Sequence, residues 1–346
     1  MILEKDSSVL GYPGETSRAL DADHHTVCKY DGPQDPNYIN VRNALSSIVC
    51  KVLARPAFEQ RNQSAPPDSY DLKSLLAVTE SPDLDYIFYR DQWVAGTNNW
   101  ITEDKRYLQW LDTSNSASAL LWIHGGPATG KSVLSSYVIN SLVENGRSCQ
   151  YFFLRYGAKQ KRSLSMLLRS IACQAVETMP DLLSRIIQLK NEAIDFETAD
   201  ARTIWERIFK AILFTYENAQ RLYWVLDGLD EADDPQAIVK LVSEVYMSRV
   251  PIRVLLVSRP TTQIEAKLKI MPSDLAVDVI PIEAYEQDLH LYATQELRAT
   301  GNAEYREDLV TRILKASEGN FLVRSVSLSS KRADCIVGTT CCGKIK

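Results

Sequence analysis

The run Leu121-Trp-Ile-His-Gly-Gly-Pro-Ala-Thr-Gly-Lys131-Ser132 constrains this chain more than any other. Apolar residues lead into the spacing G-x-x-x-x-G-K-S, and Val133, Leu134, Tyr137 and Val138 then recur at helical intervals. A buried strand that ends in a glycine-rich turn and restarts as a helix directs a row of backbone N–H groups toward one point. The positive end of the helix dipole faces the same point, so the turn is built to hold an anion. The candidate phosphate site is Gly125, Gly126, Pro127, Ala128, Thr129 and Gly130, continued by Lys131, Ser132 and Val133. In such a loop the glycines allow the tight turn, Lys131 reaches the β and γ phosphates of a nucleoside triphosphate, and Ser132 coordinates Mg²⁺. Ordinary residue frequencies would produce the four fixed positions by accident in a chain this long only about one to two times in a hundred.

Downstream, Leu222-Tyr-Trp-Val-Leu-Asp227-Gly-Leu-Asp230-Glu231 is an apolar run that ends in carboxylates. It reads as a buried strand that delivers Asp227 to a sheet edge, where its carboxylate completes the Mg²⁺ shell begun by Ser132. Asp230 or Glu231, just beyond, is placed to orient and deprotonate an attacking water. Taken alone, the same run is also a polar turn leaving a core strand. A third strand, Ile252-Arg-Val-Leu-Leu-Val257, ends in Ser258-Arg259-Pro260. Arg259 reads either as a sensor of the γ-phosphate or as an arginine solvated at a strand end.

Strands are expected near 119–124, 149–154, 222–227, 252–257 and 277–282, with helices between them. The clearest helix is Ala201 to Asn218, and a helical pair is expected near 284–299 and 304–317. Alternation of this kind specifies an α/β fold, a parallel five-stranded sheet with helices on both faces. Lys159-Gln-Lys161-Arg162 reads as a solvated loop before a helix. The first 95 residues are broken by Pro33, Pro36, Pro56, Pro66, Pro67 and Pro82, with one helix expected from Ile39 to Leu53 and a linker from Arg61 to Ser69. Beyond Val323 the sequence is polar and aperiodic and reads as a disordered tail.

A net charge of −5 and a pI near 5.6 give no basic footprint for nucleic acid. Seven cysteines without framework spacing point to a reducing compartment, and the trio Cys335, Cys341 and Cys342 lacks the fourth ligand and paired spacing of a zinc site. No apolar run approaches the roughly 18 residues of a membrane span. A soluble, cytoplasmic chain is the expectation.

Gly96-Thr97-Asn-Asn-Trp100-Ile101, the GGPATGKS loop, Tyr151-Phe-Phe, Leu168-Arg-Ser-Ile-Ala, DGLDE and Val257-Ser-Arg-Pro together resemble the NACHT domain of fungal NLR-like proteins. These belong to the STAND class of P-loop NTPases with the additional-strand (ASCE) sheet. The resemblance spans roughly residues 70 to 323, and it implies a switch that binds ATP or GTP with Mg²⁺, hydrolyses it slowly and assembles as a homo-oligomer or with an NLR-like partner. A closing winged-helix segment and sensor repeats normally follow in that family. Glu318-Gly-Asn-Phe-Leu begins the approach to them, and the pattern then stops, as in a piece of a longer gene product. Val9-Leu-Gly-Tyr-Pro-Gly-Glu15, Ala22-Asp-His24-His-Thr-Val-Cys28-Lys-Tyr and Asp35-Pro-Asn-Tyr38 resemble the end of an α/β-hydrolase, lipase-like effector whose triad base would fall on His24. No G-x-S-x-G nucleophile elbow exists in the chain, so His24 is given no catalytic role and no esterase activity is expected. The expected layout is therefore an effector remnant over 1–55, a linker and helical region over 56–95, the NTPase domain over 96–323 and a tail over 324–346. Two further readings stay open: a module that binds nucleotide with little turnover, and an inactive fragment.

Overall fold

The computed structural model describes residues 72–112, 119–191, 194–216, 221–246, 251–271, 275, 277–282, 286–297 and 302–317. His24, the hydrolase-like motifs, the helix expected over 39–53, the linker over 61–69, the 324–346 tail and the cysteine trio lie outside them.

Five strands form one sheet: β1 (Leu120–His124), β2 (Ser148–Phe153), β3 (Leu222–Asp227), β4 (Ile252–Ser258) and β5 (Val277–Pro281). All pairings are parallel and the order across the sheet is β2-β3-β4-β1-β5. The strands expected from sequence lie within a residue of these bounds. The longer helices, in chain order, are α1 (Asp83–Arg90), α2 (Lys105–Leu111), α3 (Lys131–Glu144), α4 (Leu164–Thr178), α5 (Asp181–Asn191), α6 (Pro235–Val245), α7 (Thr262–Lys269), α8 (Glu286–Glu296) and α9 (Ala303–Ser317).

Parallel strands carry helices on both faces, which is why β3 and β4 are buried along their whole length and lack a polar side. Alternate residues supply two separate cores. Leu120, Trp122, Phe152, Trp224, Leu226, Val254 and Leu256 face one side, where they meet α4, α5, α6 and α7. Leu121, Ile123, Phe153, Tyr223, Val225, Leu255 and Val257 face the other, with Leu134, Val138, Ile139 and Leu142 of α3 and Tyr107 and Trp110 of α2. α8 and α9 form a small cluster of their own around Ala293, Leu297 and Val310.

Two local expectations are corrected. The stretch Ala201 to Asn218 is not one α-helix: a single α turn (Ala201–Ile204) widens into a π turn (Trp205–Lys210), followed by a 3₁₀ turn (Leu213–Thr215). The widening coincides with an aromatic stack, Trp205 on Phe209 at 5.0 Å, with Phe209 also edge-on to Trp224 of β3 at 5.7 Å. Helical periodicity reads the apolar spacing but not the ring geometry that spreads the backbone. The basic cluster at 159–162 is also not merely solvated. Lys161 Nζ lies 2.6 Å from Asp85 of α1, and Arg162 pairs with Asp233 at 3.3 Å.

Candidate functional site

β1 ends at His124, and the chain turns through Gly125 under strict steric limits. A Cβ on Gly125 would lie 2.8 Å from Thr129 Oγ1 and 3.1 Å from the Ile282 side chain, so a side chain there would force both neighbours to shift. Ala128 at φ +55° and Gly130 at φ +79° are left-handed, which curls the loop back before α3 begins at Lys131. The N–H groups of the first turn of α3 have no carbonyl a turn behind them and are left for a ligand. The strand tips are locked together. Gly125 N–H donates to Ser258 O at 3.2 Å, and Trp122 Nε1 donates to Ser258 Oγ at 2.9 Å, so the end of β4 is fixed beside the loop. Lys131 Nζ donates to the carbonyls of Gly125, at 3.0 Å, and Gly126, which holds the ammonium across the mouth of the loop. Burial pulls the Lys131 pKa down, while Asp227 and Asp230 oppose that pull.

Asp227 arrives from β3 almost wholly buried. Ser132 Oγ donates to its Oδ2 at 2.6 Å and Ser135 Oγ donates to its Oδ1 at 2.8 Å. Burial raises the carboxyl from 3.8 to about 6, against the two serine hydrogen bonds and the Lys131 charge. The two residues read from sequence as metal partners therefore meet directly. The donor set fits Mg²⁺, a hard cation that takes hydroxyl, carboxylate and water oxygens. Gly228, next along, sits at φ +75°, and it brings the acidic turn round without leaving the sheet edge.

Asp230 and Glu231, equivalent on paper, differ in place. Asp230 Oδ1 accepts the Arg259 backbone N–H at 2.8 Å, and its Oδ2 lies 3.4 Å from Arg259 Nε. Glu231 Oε2 accepts the Tyr156 N–H at 2.8 Å. Arg259 is half exposed and carries its guanidinium on Asp230, so it is neither a loose surface arginine nor wholly free for a phosphate. Gly130, Lys131, Ser132, Asp227, Asp230, Glu231 and Arg259 all line one cavity of about 860 Å³.

That cavity also takes in residues to which sequence reading gave no site role. Tyr89 of α1, Asn98, Trp100, Arg155, Asp288 and Tyr292 share its wall. Asp288 Oδ2 accepts the buried Asn98 N–H at 2.9 Å, and burial pushes its carboxyl up. Burial also raises the Tyr89 phenol, while the Arg155 charge and the Ser132 hydroxyl beside it lower it. Ser135 was legible, one helical turn beyond Ser132 on the same face of α3. Tyr89 and Arg155 carry no local pattern, because only the packing of α1 against the sheet brings them to the loop.

The family described as Nephrocystin 3, N-terminal, matches residues 96–259, a span that starts at the Gly-Thr-Asn-Asn-Trp run and ends on Arg259. Vegetative incompatibility protein HET-E-1 of Podospora anserina is 26% identical over 176 residues, covering 49% of this chain and 13% of that protein. This segment is a NACHT-type P-loop domain. Its sheet order, with β4 between the strands that carry the loop and the acidic turn, is that of P-loop NTPases with an added central strand. The NACHT assignment makes the chain a nucleotide-binding module of the NTPase class, a class that uses Mg²⁺. Against solved structures, the chain aligns with Drosophila ORC bound to DNA at a TM-score of 0.40 and 10% identity, covering 75% of this chain and 63% of that one. It aligns with the E. coli MS115-1 HORMA:CdnC:Trip13 complex at 0.32 and 13%, covering 71% and 77%. The α/β-hydrolase resemblance finds no counterpart among these matches. Among the described residues no helix is long and apolar enough to cross a membrane.

Proposed function

We propose that the chain is a nucleotide-operated switch, binding ATP or GTP with Mg²⁺ in the NACHT cavity and hydrolysing it slowly. One observation carries this reading: Lys131, the Ser132–Asp227 pair, Glu231 and Arg259 line a single cavity although they come from three separate stretches of the chain. Chance packing does not collect cations, a buried carboxylate and a second acid around an anion-binding turn. The loop N–H groups and Lys131 hold the phosphates and stabilise charge as it gathers on them. Ser132 and Asp227 would hold Mg²⁺, which when bound neutralises the phosphate oxygens. The remaining wall at Thr97, Asn98, Trp100 and Tyr292 is roomy and partly aromatic, suited to sugar and base.

Between the two acids, Glu231 is the better candidate to orient and deprotonate water. One of its oxygens is fixed by Tyr156 N–H, while Asp230 is committed to Arg259 through both. Asp230 then serves to hold Arg259 beside the terminal phosphate. HET-E-1 covers far more sequence than this segment, and any assembly into homo-oligomers or with NLR-like partners belongs to this proposal as well. Glu231→Gln should retain Mg²⁺–nucleotide binding within about threefold and lose hydrolysis by about a hundredfold or more, the usual scale for removing a general base. Unchanged phosphate release in Glu231→Gln would remove it from catalysis, and no phosphate release in wild type would leave a binding module without turnover.

A further inference from the structure

Arg155 lies just past the end of β2, in the wall of the cavity that holds Lys131, Ser132 and Asp227. Its guanidinium sits over the Tyr89 ring at 5.0 Å and the Phe88 ring at 5.6 Å, both from α1. Its Nη2 is 3.0 Å from Asp85 Oδ1, also on α1, yet Nε and Nη2 are buried without a hydrogen-bond acceptor in good geometry. A permanently charged, planar group with unused donors therefore stands at the edge of a phosphate site, kept there by one carboxylate and two rings. Asp85 is itself 4% exposed and takes a second cation, Lys161 Nζ at 2.6 Å. If Arg155 left it, Asp85 would still be paired, so the loss would not strand a buried charge. A guanidinium bonds a phosphate as readily as a carboxylate, and a ring beneath it permits a swing without loss of contact.

We propose that Arg155 is a further binding residue for the terminal phosphate of a nucleoside triphosphate, and that Asp85 of α1 competes with that phosphate for it. The assignment rests on the nucleotide-binding reading above and extends it to α1, which precedes the matched span at 96. A triphosphate draws the guanidinium off Asp85 and loosens α1 from the end of β2. A diphosphate does not reach it and leaves the pair closed. The helix thereby reports which nucleotide is bound to whatever lies ahead of it in the chain.

The test is equilibrium titration of the full chain with fluorescent, non-hydrolysable triphosphate and with diphosphate, both with Mg²⁺. Arg155→Gln should weaken the triphosphate roughly tenfold or more, the scale of a lost charge-assisted bond, and leave the diphosphate within about twofold. Arg155→Lys, which keeps the charge but not the fork, should fall between. Asp85→Asn should tighten the triphosphate alone, and the double variant should match Arg155→Gln, since the competitor matters only while Arg155 is present. Diphosphate binding in each variant certifies a folded site. An unchanged triphosphate-to-diphosphate ratio in Arg155→Gln, or an equal effect of Asp85→Asn on both nucleotides, would overturn this assignment alone. Wild-type protein that bound neither nucleotide would overturn the functional reading and this assignment with it.

Discussion

Asp227 gives up stability to stand beside Ser132 at the buried tip of β3. Its carboxyl ordinarily titrates near 3.8 and in the fold near 6, because burial penalises the charge more than two serines and Lys131 relieve it. The folded state therefore binds the proton more tightly than the unfolded chain. The stability this residue contributes is fully present below about pH 4 and is lost as pH rises through about 6. The gap is worth roughly 3 kcal/mol at ~1.4 kcal/mol per pH unit. In metal-free protein, thermal unfolding should move to lower temperature between pH 5 and 7.5. Asp227→Asn, which carries no charge to desolvate, should flatten that dependence and raise the midpoint at pH 7.5, while abolishing the gain that Mg²⁺ gives nucleotide binding. An equal pH dependence in the variant would mean that Asp227 is not the group responsible. The loop and Asp227 were legible in the sequence because their chemistry lies in short spacings on one strand-to-turn junction. Asp85, Tyr89 and Arg155 were not, since α1 and the end of β2 are joined by no pattern and meet only through packing.

At the scale of elements, what matters is how strand ends are held in register. Leu154 N–H donates to Asp227 O at 2.8 Å, continuing the β2–β3 ladder by one residue beyond the end of β2. The chain then turns through Gly228, where an added Cβ would sit 2.4 Å from Leu154 O. Both the left-handed backbone and this close approach exclude a side chain, which is the physical content of the small residue after Asp227. Gly228→Ala should cost more than about 1 kcal/mol of stability in urea unfolding and also weaken Mg²⁺-dependent nucleotide binding, because relief requires the β3 tip to move. A neutral result on both counts would show the turn to be loosely specified. The strands were readable in sequence, since doubly buried parallel strands are continuous apolar runs bounded by polar turns. The segment from Ala201 was misread as one helix because the apolar spacing is common to α and π backbones. What separates them is the Trp205–Phe209–Trp224 packing, a tertiary feature.

Across the whole molecule, the order β2-β3-β4-β1-β5 brings together three strand ends that the sequence separates by about a hundred residues or more between first and last. β1 supplies the loop, β3 the acids and β4 Arg259, and the switch reading requires all three to address one ligand. The central claim is that the cavity binds a nucleoside triphosphate through the loop, and Lys131 is the side chain on which that claim turns. The most direct measurement is titration of wild type and Lys131→Ala with a fluorescent nucleoside triphosphate and Mg²⁺, both proteins shown folded by their thermal transitions. Loss of this charge-assisted contact should weaken binding about tenfold to a hundredfold. Equal affinities in the two proteins would contradict the account.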